Sequence, residues 1–221
     1  MSTSFLRFSS ITKKIWMALL GIFLLIFLVV HLSINLCLLK TDPTWFNDAA
    51  RFMGTNYVVK TFEVVLFAGF IFHIILGIIL QVQNWMSRPV RYAVNNKSET
   101  PFLSKYMIWT GGIILLFLVI HLMNFWMMKL CWVDGPRMAD GEPDFYQKAV
   151  DLFNIPAYSM MYILLFIVLG FHLNHAFQAA FQSLGLNFTK YTKCIEIFGM
   201  VYSIVIPLGF IIIPIYFLLI H

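Results

Sequence analysis

The chain has 221 residues, of which 61% are hydrophobic and only 11% are charged. A soluble domain has too little interior to bury that much apolar surface, so this composition excludes an ordinary soluble protein. The net charge is +5. Its basic residues are spread over the flanks of apolar runs and form no stripe, which argues against a nucleic-acid-binding protein.

Five apolar runs follow one another along the chain, and each is longer than the ~20 residues that a helix needs to cross a bilayer. They are Ile15–Leu39, Val58–Trp85, Tyr106–Leu130, Tyr158–Leu184 and Ile195–Ile220. Backbone groups in lipid must bond within their own segment, so such runs are predicted to be helices. The first run is too long for a signal peptide, and no small-residue cleavage site follows it. We therefore predict an all-α integral membrane protein, with one domain over residues 1–221 and five transmembrane helices.

The segments between the runs carry weaker signals. The first contains WFNDAARFMG, whose helical spacing of apolar residues predicts an interfacial helix, and the third contains the turn-rich stretch VDGPRMADGEPD. Gly185 is predicted to end the fourth transmembrane helix, and Pro207 and Pro214 to kink the fifth. The three cysteines form no CxxCH motif, so covalently attached c-type haem is not indicated.

Basic residues predict the orientation, because cytoplasmic flanks are rich in lysine and arginine. They precede the first run and fill the second and fourth loops: Arg7, Lys13, Lys14, Arg88, Arg91, Lys97, Lys105, Lys190 and Lys193. The other two loops hold a comparable number of basic residues spread over more positions, but they also hold most of the acidic residues. The N-terminus is therefore predicted to be cytoplasmic, and the C-terminus outside.

Histidine occurs near the middle of each of the first four runs, as His31, His73, His121 and His172, with His175 as an extra one. Ionisable groups inside a bilayer are costly and normally mark function. A single such histidine is more often a packing residue than a ligand, but four in successive helices favour ligands. By helical rise, His31 and His121 lie ~12 and ~13 Å from the outer ends of their helices, and His73 and His172 lie ~22 and ~21 Å from theirs.

These depths give two pairs of histidines. Two neutral imidazoles from facing helices clamp one haem iron, whereas zinc would want four ligands at one level. The sequence thus predicts a haem-binding four-helix core plus a fifth helix. Its two haems b are held by His73 with His172 nearer the cytoplasm and by His31 with His121 nearer the outside.

The neighbours of these histidines have two open interpretations each. Gly69 and Gly77 lie four residues either side of His73, and they either leave room for a porphyrin or serve helix contact. Asn35 and Asn124 either orient a ligand ring or bond to another helix.

Several motifs, in this order, resemble the cytochrome b subunit of succinate dehydrogenase and fumarate reductase, of the single-chain, five-helix, two-haem type. They are HLSIN (31–35), WFNDAARFM (45–53), FHIILG (72–77), IHLMNFW (120–126) and FHLNHAFQAAFQSLG (171–185). The resemblance covers nearly the whole chain. The haem ligands of the family correspond to His31, His73, His121 and His172 in this sequence. The position of His175 need not be histidine in the family.

The resemblance implies a bacterial inner (cytoplasmic) membrane and two partner subunits on its cytoplasmic face. One partner is a flavoprotein with FAD and the other carries iron–sulfur clusters, and succinate and fumarate are handled there. This chain would bind two haems b and exchange electrons with a quinone, typically menaquinone.

Quinone reduction also needs a protonatable group near a haem. Glu63 is the one acid well inside the four histidine-bearing runs, ~8 Å from the outer end of its helix, and is the predicted proton-transfer residue. Alternatively, it lies just inside the headgroup level and bonds Lys60 or Arg51. Trp126 is either an interfacial belt residue or a border of the outer haem or quinone slot.

Polar residues at the cytoplasmic ends of the helices include His175, Arg88 and Gln178. They are candidate contacts for haem propionates, and alternatively dock the iron–sulfur partner or satisfy the interface.

Three other functions compete with this interpretation. The first is the two-haem anchor of another respiratory enzyme, such as a hydrogenase or formate dehydrogenase. The second is a transporter with a histidine proton relay, and the third is a quinone-binding anchor without haem. A reduced-minus-oxidised b-haem spectrum separates the last two from the others.

Overall fold

The computed structural model describes residues 10–86, 106–186 and 191–220. Its helices are α1 (Ser10–Asn35, continued by a 3₁₀ turn over Leu36–Leu39), α2 (Thr44–Thr55), α3 (Tyr57–Met86), α4 (Met107–Lys129), α5 (Phe145–Phe153), α6 (Pro156–Ser183) and α7 (Thr192–Ile220). These residues form no strand beyond an isolated bridge between Arg137 and Pro143.

Five helices in the described ranges, α1, α3, α4, α6 and α7, are long and apolar enough to cross a membrane. This confirms the predicted all-α fold class and the five spans, whose ends move by only a few residues. The chain is thus a multi-pass membrane protein by the length and composition of its helices. Gly185 has a φ of +72° just beyond the end of α6, a conformation that glycine adopts without the steric cost of a Cβ, and it ends the helix as predicted.

Helices α6 and α7 form the most extensive contact of the bundle. Pro207 has no N–H to donate to the carbonyl of Ser203, four residues earlier in α7. The oxygen of this carbonyl lies close to Gly170 of α6. A Cβ on Gly170 would lie only 3.0 Å from that oxygen, so the glycine permits the close approach. Both prolines of α7 are buried within one continuous helix.

Helices α2 and α5 lie at the same end of the bundle, which we call the capped end. The predicted interfacial helix is α2, whereas α5 was not predicted, because the turn-rich stretch before it dominates that loop. Asp144 caps α5 by accepting a hydrogen bond from Gln147 N at 2.9 Å. Its Oδ1 also accepts a hydrogen bond from Asn47 Nδ2 of α2, at 2.9 Å.

Asn47 joins the two capping helices. Its side chain is 7% exposed, and its Oδ1 accepts a hydrogen bond from the backbone N–H of Tyr146 at 3.1 Å. In Asn47→Ala this buried N–H loses its partner, so we expect a loss of about 2 kcal/mol in the free energy of unfolding. Thermal unfolding in detergent measures the effect against Asp48→Ala, the exposed neighbour. Equal stability of the two variants would mean that apolar contacts alone hold the cap.

Candidate haem and quinone site

Four of the membrane-spanning helices form a square, in the order α3, α1, α6, α4. Neighbours pack through α1 with α3, α1 with α6 and α4 with α6, while α3 and α4 contact each other only locally. Within the described residues, α1 and α4 face each other across one diagonal, and α3 and α6 across the other, without extended backbone contact. Helix α7 packs outside the square, against α6 and α1. Side chains directed inward must therefore fill the space between the diagonal helices.

The first diagonal joins His31 of α1 to His121 of α4. Their ring centroids are 5.8 Å apart, with an interplanar angle of 88°. Two imidazoles on opposite sides of one metal ion are separated by about 6 Å, given metal–nitrogen bonds of about 2 Å. Four aromatic rings lie within 6 Å of these two rings: Phe27, Phe117, Phe125 and Phe210. The pair is thus surrounded by aromatic rings, at a separation compatible with shared ligation.

The second diagonal joins His73 of α3 to His172 of α6. The two rings are close enough to interact electrostatically, and His172 interacts in the same way with His175. His172 Nδ1 also lies 3.2 Å from the hydroxyl of Thr110 on α4. The structure thus places the members of each predicted pair on facing helices, one pair across each diagonal.

Two of these histidines have buried ring nitrogens without a hydrogen-bond partner. They are His73 Nδ1 and His121 Nδ1, one from each pair. Buried polar atoms are nearly always hydrogen-bonded, so these two nitrogens retain the capacity for a further partner. The described residues contain no group of three or more histidine, cysteine or acidic side chains able to hold a metal ion. Facing imidazoles whose ring nitrogens can still bind a partner fit a haem, which needs two protein ligands.

A π-helical turn, Leu122–Trp126, follows His121 directly within α4. Such turns shift the register of the residues after them and are frequent at functional sites. Asn124, in this turn, donates a hydrogen bond to the hydroxyl of Tyr162 on α6 at 3.3 Å, and Tyr162 is only 1% exposed. Of the two interpretations of Asn124, the structure favours the interhelical bond. Asn35 instead donates to the backbone carbonyl of His31 at 2.7 Å.

Glu63 is hydrogen-bonded to residues other than Lys60 and Arg51, the two partners that its position in the sequence suggested. Its Oε1 accepts a hydrogen bond from Trp126 Nε1 and its Oε2 one from Lys129 Nζ, both at 2.7 Å. Arg51 pairs instead with Asp140. The side chains of Glu63 and Lys129 are 25% and 29% exposed, so this ion pair lies partly at the surface of the bundle. The indole of Trp126 also packs against Phe67, with ring centroids 4.8 Å apart.

The two glycines near His73 contact helix α1. A Cβ on Gly69 would lie 3.0 Å from the ring of Phe23, and one on Gly77 would lie 3.6 Å from Met17 Cε. Both positions therefore serve the packing of α3 against α1, which is the second of their two interpretations.

Two of the candidate propionate contacts, His175 and Gln178, occupy the end of the square opposite the capped end. His175 is half-buried, and Gln178 donates to Asn174 Oδ1 at 3.4 Å. Arg88 lies outside the described residues. Sequence reasoning missed Thr110 and Lys129, because neither shows any pattern along the chain and both become significant only through a partner on another helix.

Comparisons of the chain with models of protein families, with curated proteins and with solved structures give no match.

Proposed function

We propose that this chain is the dihaem cytochrome b membrane anchor of a succinate:quinone oxidoreductase or quinol:fumarate reductase. It passes electrons between an iron–sulfur subunit and quinone. The observation that carries the proposal is the contact of His31 with His121 across one diagonal of the helix square, with His73 and His172 on the two helices of the other diagonal. The order and spacing of the histidine-bearing motifs favour this enzyme class over other dihaem anchors.

The chain's own residues would hold and orient the two haems b. When bound, the haems supply one-electron carriers at two levels of the membrane. His31 and His121 ligate the one nearer the capped end, and His73 and His172 the other. The aromatic residues around the first pair keep water away from its rings and thereby tune the potential.

The proton-handling residue for quinone is Glu63. Its carboxylate is fixed on both oxygens, by Trp126 and Lys129, and one side of the cluster is aromatic, as a quinone ring requires. Partial exposure of Glu63 and Lys129 gives the carboxylate a route to water for proton exchange. We assign menaquinone as the substrate on the resemblance alone.

The partner subunits would bind at the opposite end of the bundle, on the predicted cytoplasmic side. The flavoprotein with FAD performs the dicarboxylate chemistry, and the iron–sulfur subunit delivers or receives the electrons. His175 and Gln178 belong to this end and, together with Arg88, are proposed to contact the propionates of the inner haem.

A reduced-minus-oxidised spectrum of the purified membrane protein tests the proposal. We expect b-type absorption bands and about two haems per chain by the pyridine haemochrome assay, as two bis-imidazole pairs require. Co-purification with a succinate-oxidising flavoprotein then identifies the enzyme class. A colourless preparation overturns the proposal and favours the transporter or the haem-free anchor. Haem with a different partner enzyme favours the hydrogenase or formate dehydrogenase alternative.

His172 and His175 provide a matched pair of variants on one helix. They share a face of α6 but differ in depth by ~4.5 Å, so both cannot ligate one iron from opposite sides. We expect His172→Ala to lose the inner haem and His175→Ala to retain both, as measured by haem content per chain. Loss of the inner haem in His175→Ala but not in His172→Ala would reverse the ligand assignment.

A further inference from the structure

The hydroxyl of Thr110 lies between two groups. Its Oγ1 is 3.0 Å from the backbone carbonyl of Met107, three residues earlier in α4, and 3.2 Å from His172 Nδ1 on α6. A threonine hydroxyl has one hydrogen to donate and two lone pairs that accept. Threonine in a helix commonly donates this hydrogen to a carbonyl three or four residues earlier. Once that hydrogen is used on Met107, Oγ1 can only accept from His172.

An acceptor opposite Nδ1 determines the tautomer of a neutral imidazole. The proton then resides on Nδ1, and the lone pair available to a metal resides on Nε2. Gly111, the next residue of α4, contributes space: a Cβ there would lie 3.6 Å from His172 Cε1. The Nδ1–Cε1 edge of the ring therefore faces α4, and Nε2 is the nitrogen that α4 does not bond.

We infer that Thr110 is a positioning residue, which holds His172 as the Nδ1–H tautomer and presents its Nε2 as the ligand. The assignment of the ligated group as haem rests on the proposed function, whereas the assignment of the tautomer does not. Partners of this kind raise the basicity of a ligating imidazole, and their loss typically weakens metal binding about 10- to 100-fold.

Two variants test the haem-dependent part of the inference. Thr110→Val keeps the shape of the side chain but removes the acceptor, and Thr110→Ser keeps the acceptor. We expect Thr110→Val to bind the inner haem at least about tenfold more weakly and to raise its midpoint potential, because a less basic imidazole stabilises ferric iron less. Thr110→Ser should match the wild type in both. Wild-type affinity and potential in Thr110→Val would overturn the inference.

A second measurement is independent of haem. The ¹⁵N chemical shifts of the His172 ring, assigned through loss of the signals in His172→Ala, report which nitrogen carries the proton in the wild-type chain freed of haem, since iron bound to Nε2 would itself keep the proton on Nδ1. A protonated Nδ1 supports the inference, and a protonated Nε2 overturns it. A wild-type preparation without haem would refute the proposed function, and the ¹⁵N spectrum would still decide the role of Thr110.

Discussion

Replacing His121 with alanine is expected to remove one haem of two and to leave the other unchanged. His121 shares its diagonal with His31 alone, at a ring separation of 5.8 Å, so its loss leaves that iron with one protein ligand. The pyridine haemochrome assay should fall from about two haems per chain to about one. The midpoint potential that remains should be that of the inner haem.

Double variants then test the pairing itself. If His31 and His121 ligate the same iron, the double variant His31→Ala with His121→Ala should lose no more haem than either single variant. The double variant His73→Ala with His121→Ala removes one ligand from each pair and should lose both haems. The reverse pattern would show that neighbouring helices of the square share a haem, and would contradict the diagonal pairing.

Replacing Glu63 with glutamine should lower quinone-linked activity by about 100-fold, the lower range for loss of a general acid or base. Both haems should remain, because Glu63 contacts neither histidine pair in the described structure but bonds Trp126 and Lys129. Quinone turnover with an artificial electron donor measures the effect. Glu196→Gln, the same substitution at an exposed acid of α7, is the matched control.

A purely structural role for Glu63 must be separated from proton transfer. Glutamine cannot accept hydrogen bonds on both sides, so Glu63→Gln also weakens the bonds from Trp126 and Lys129. Lys129→Met breaks the same ion pair but leaves the carboxyl in place. A role in proton transfer predicts much higher activity in Lys129→Met than in Glu63→Gln. Equal activity in the two variants would mean that the ion pair matters only for structure.

The sequence predicted the fold well wherever the signal was local. The length of an apolar run decides whether a helix crosses the bilayer, so the five spans agree with the structure. Helix α2 was predicted from its apolar spacing and the end of α6 from Gly185. Helix α5 was missed although its apolar residues have helical spacing, because the turn-rich stretch before it dominates that loop.

The candidate site was predictable in part. The depth of each histidine follows from helical rise alone, so the two pairs could be proposed from the sequence. The partners of Glu63 were not, because the π-helical turn in α4 shifts the register of Trp126 and Lys129. Lys60 and Arg51, its neighbours along the chain, were the natural candidates. They are not its hydrogen-bond partners, since a helix directs side chains by angle as well as by height.

The sequence by itself determined the number of spans and the level at which each histidine lies, since both follow from the composition and rise of single helices. Only the tertiary structure decided which helices are neighbours and which face each other across a diagonal. It also decided that Thr110 of α4 meets His172 of α6 and that α4 supplies both partners of Glu63. These contacts depend on the rotation and packing of several helices together, which no single segment of the sequence specifies.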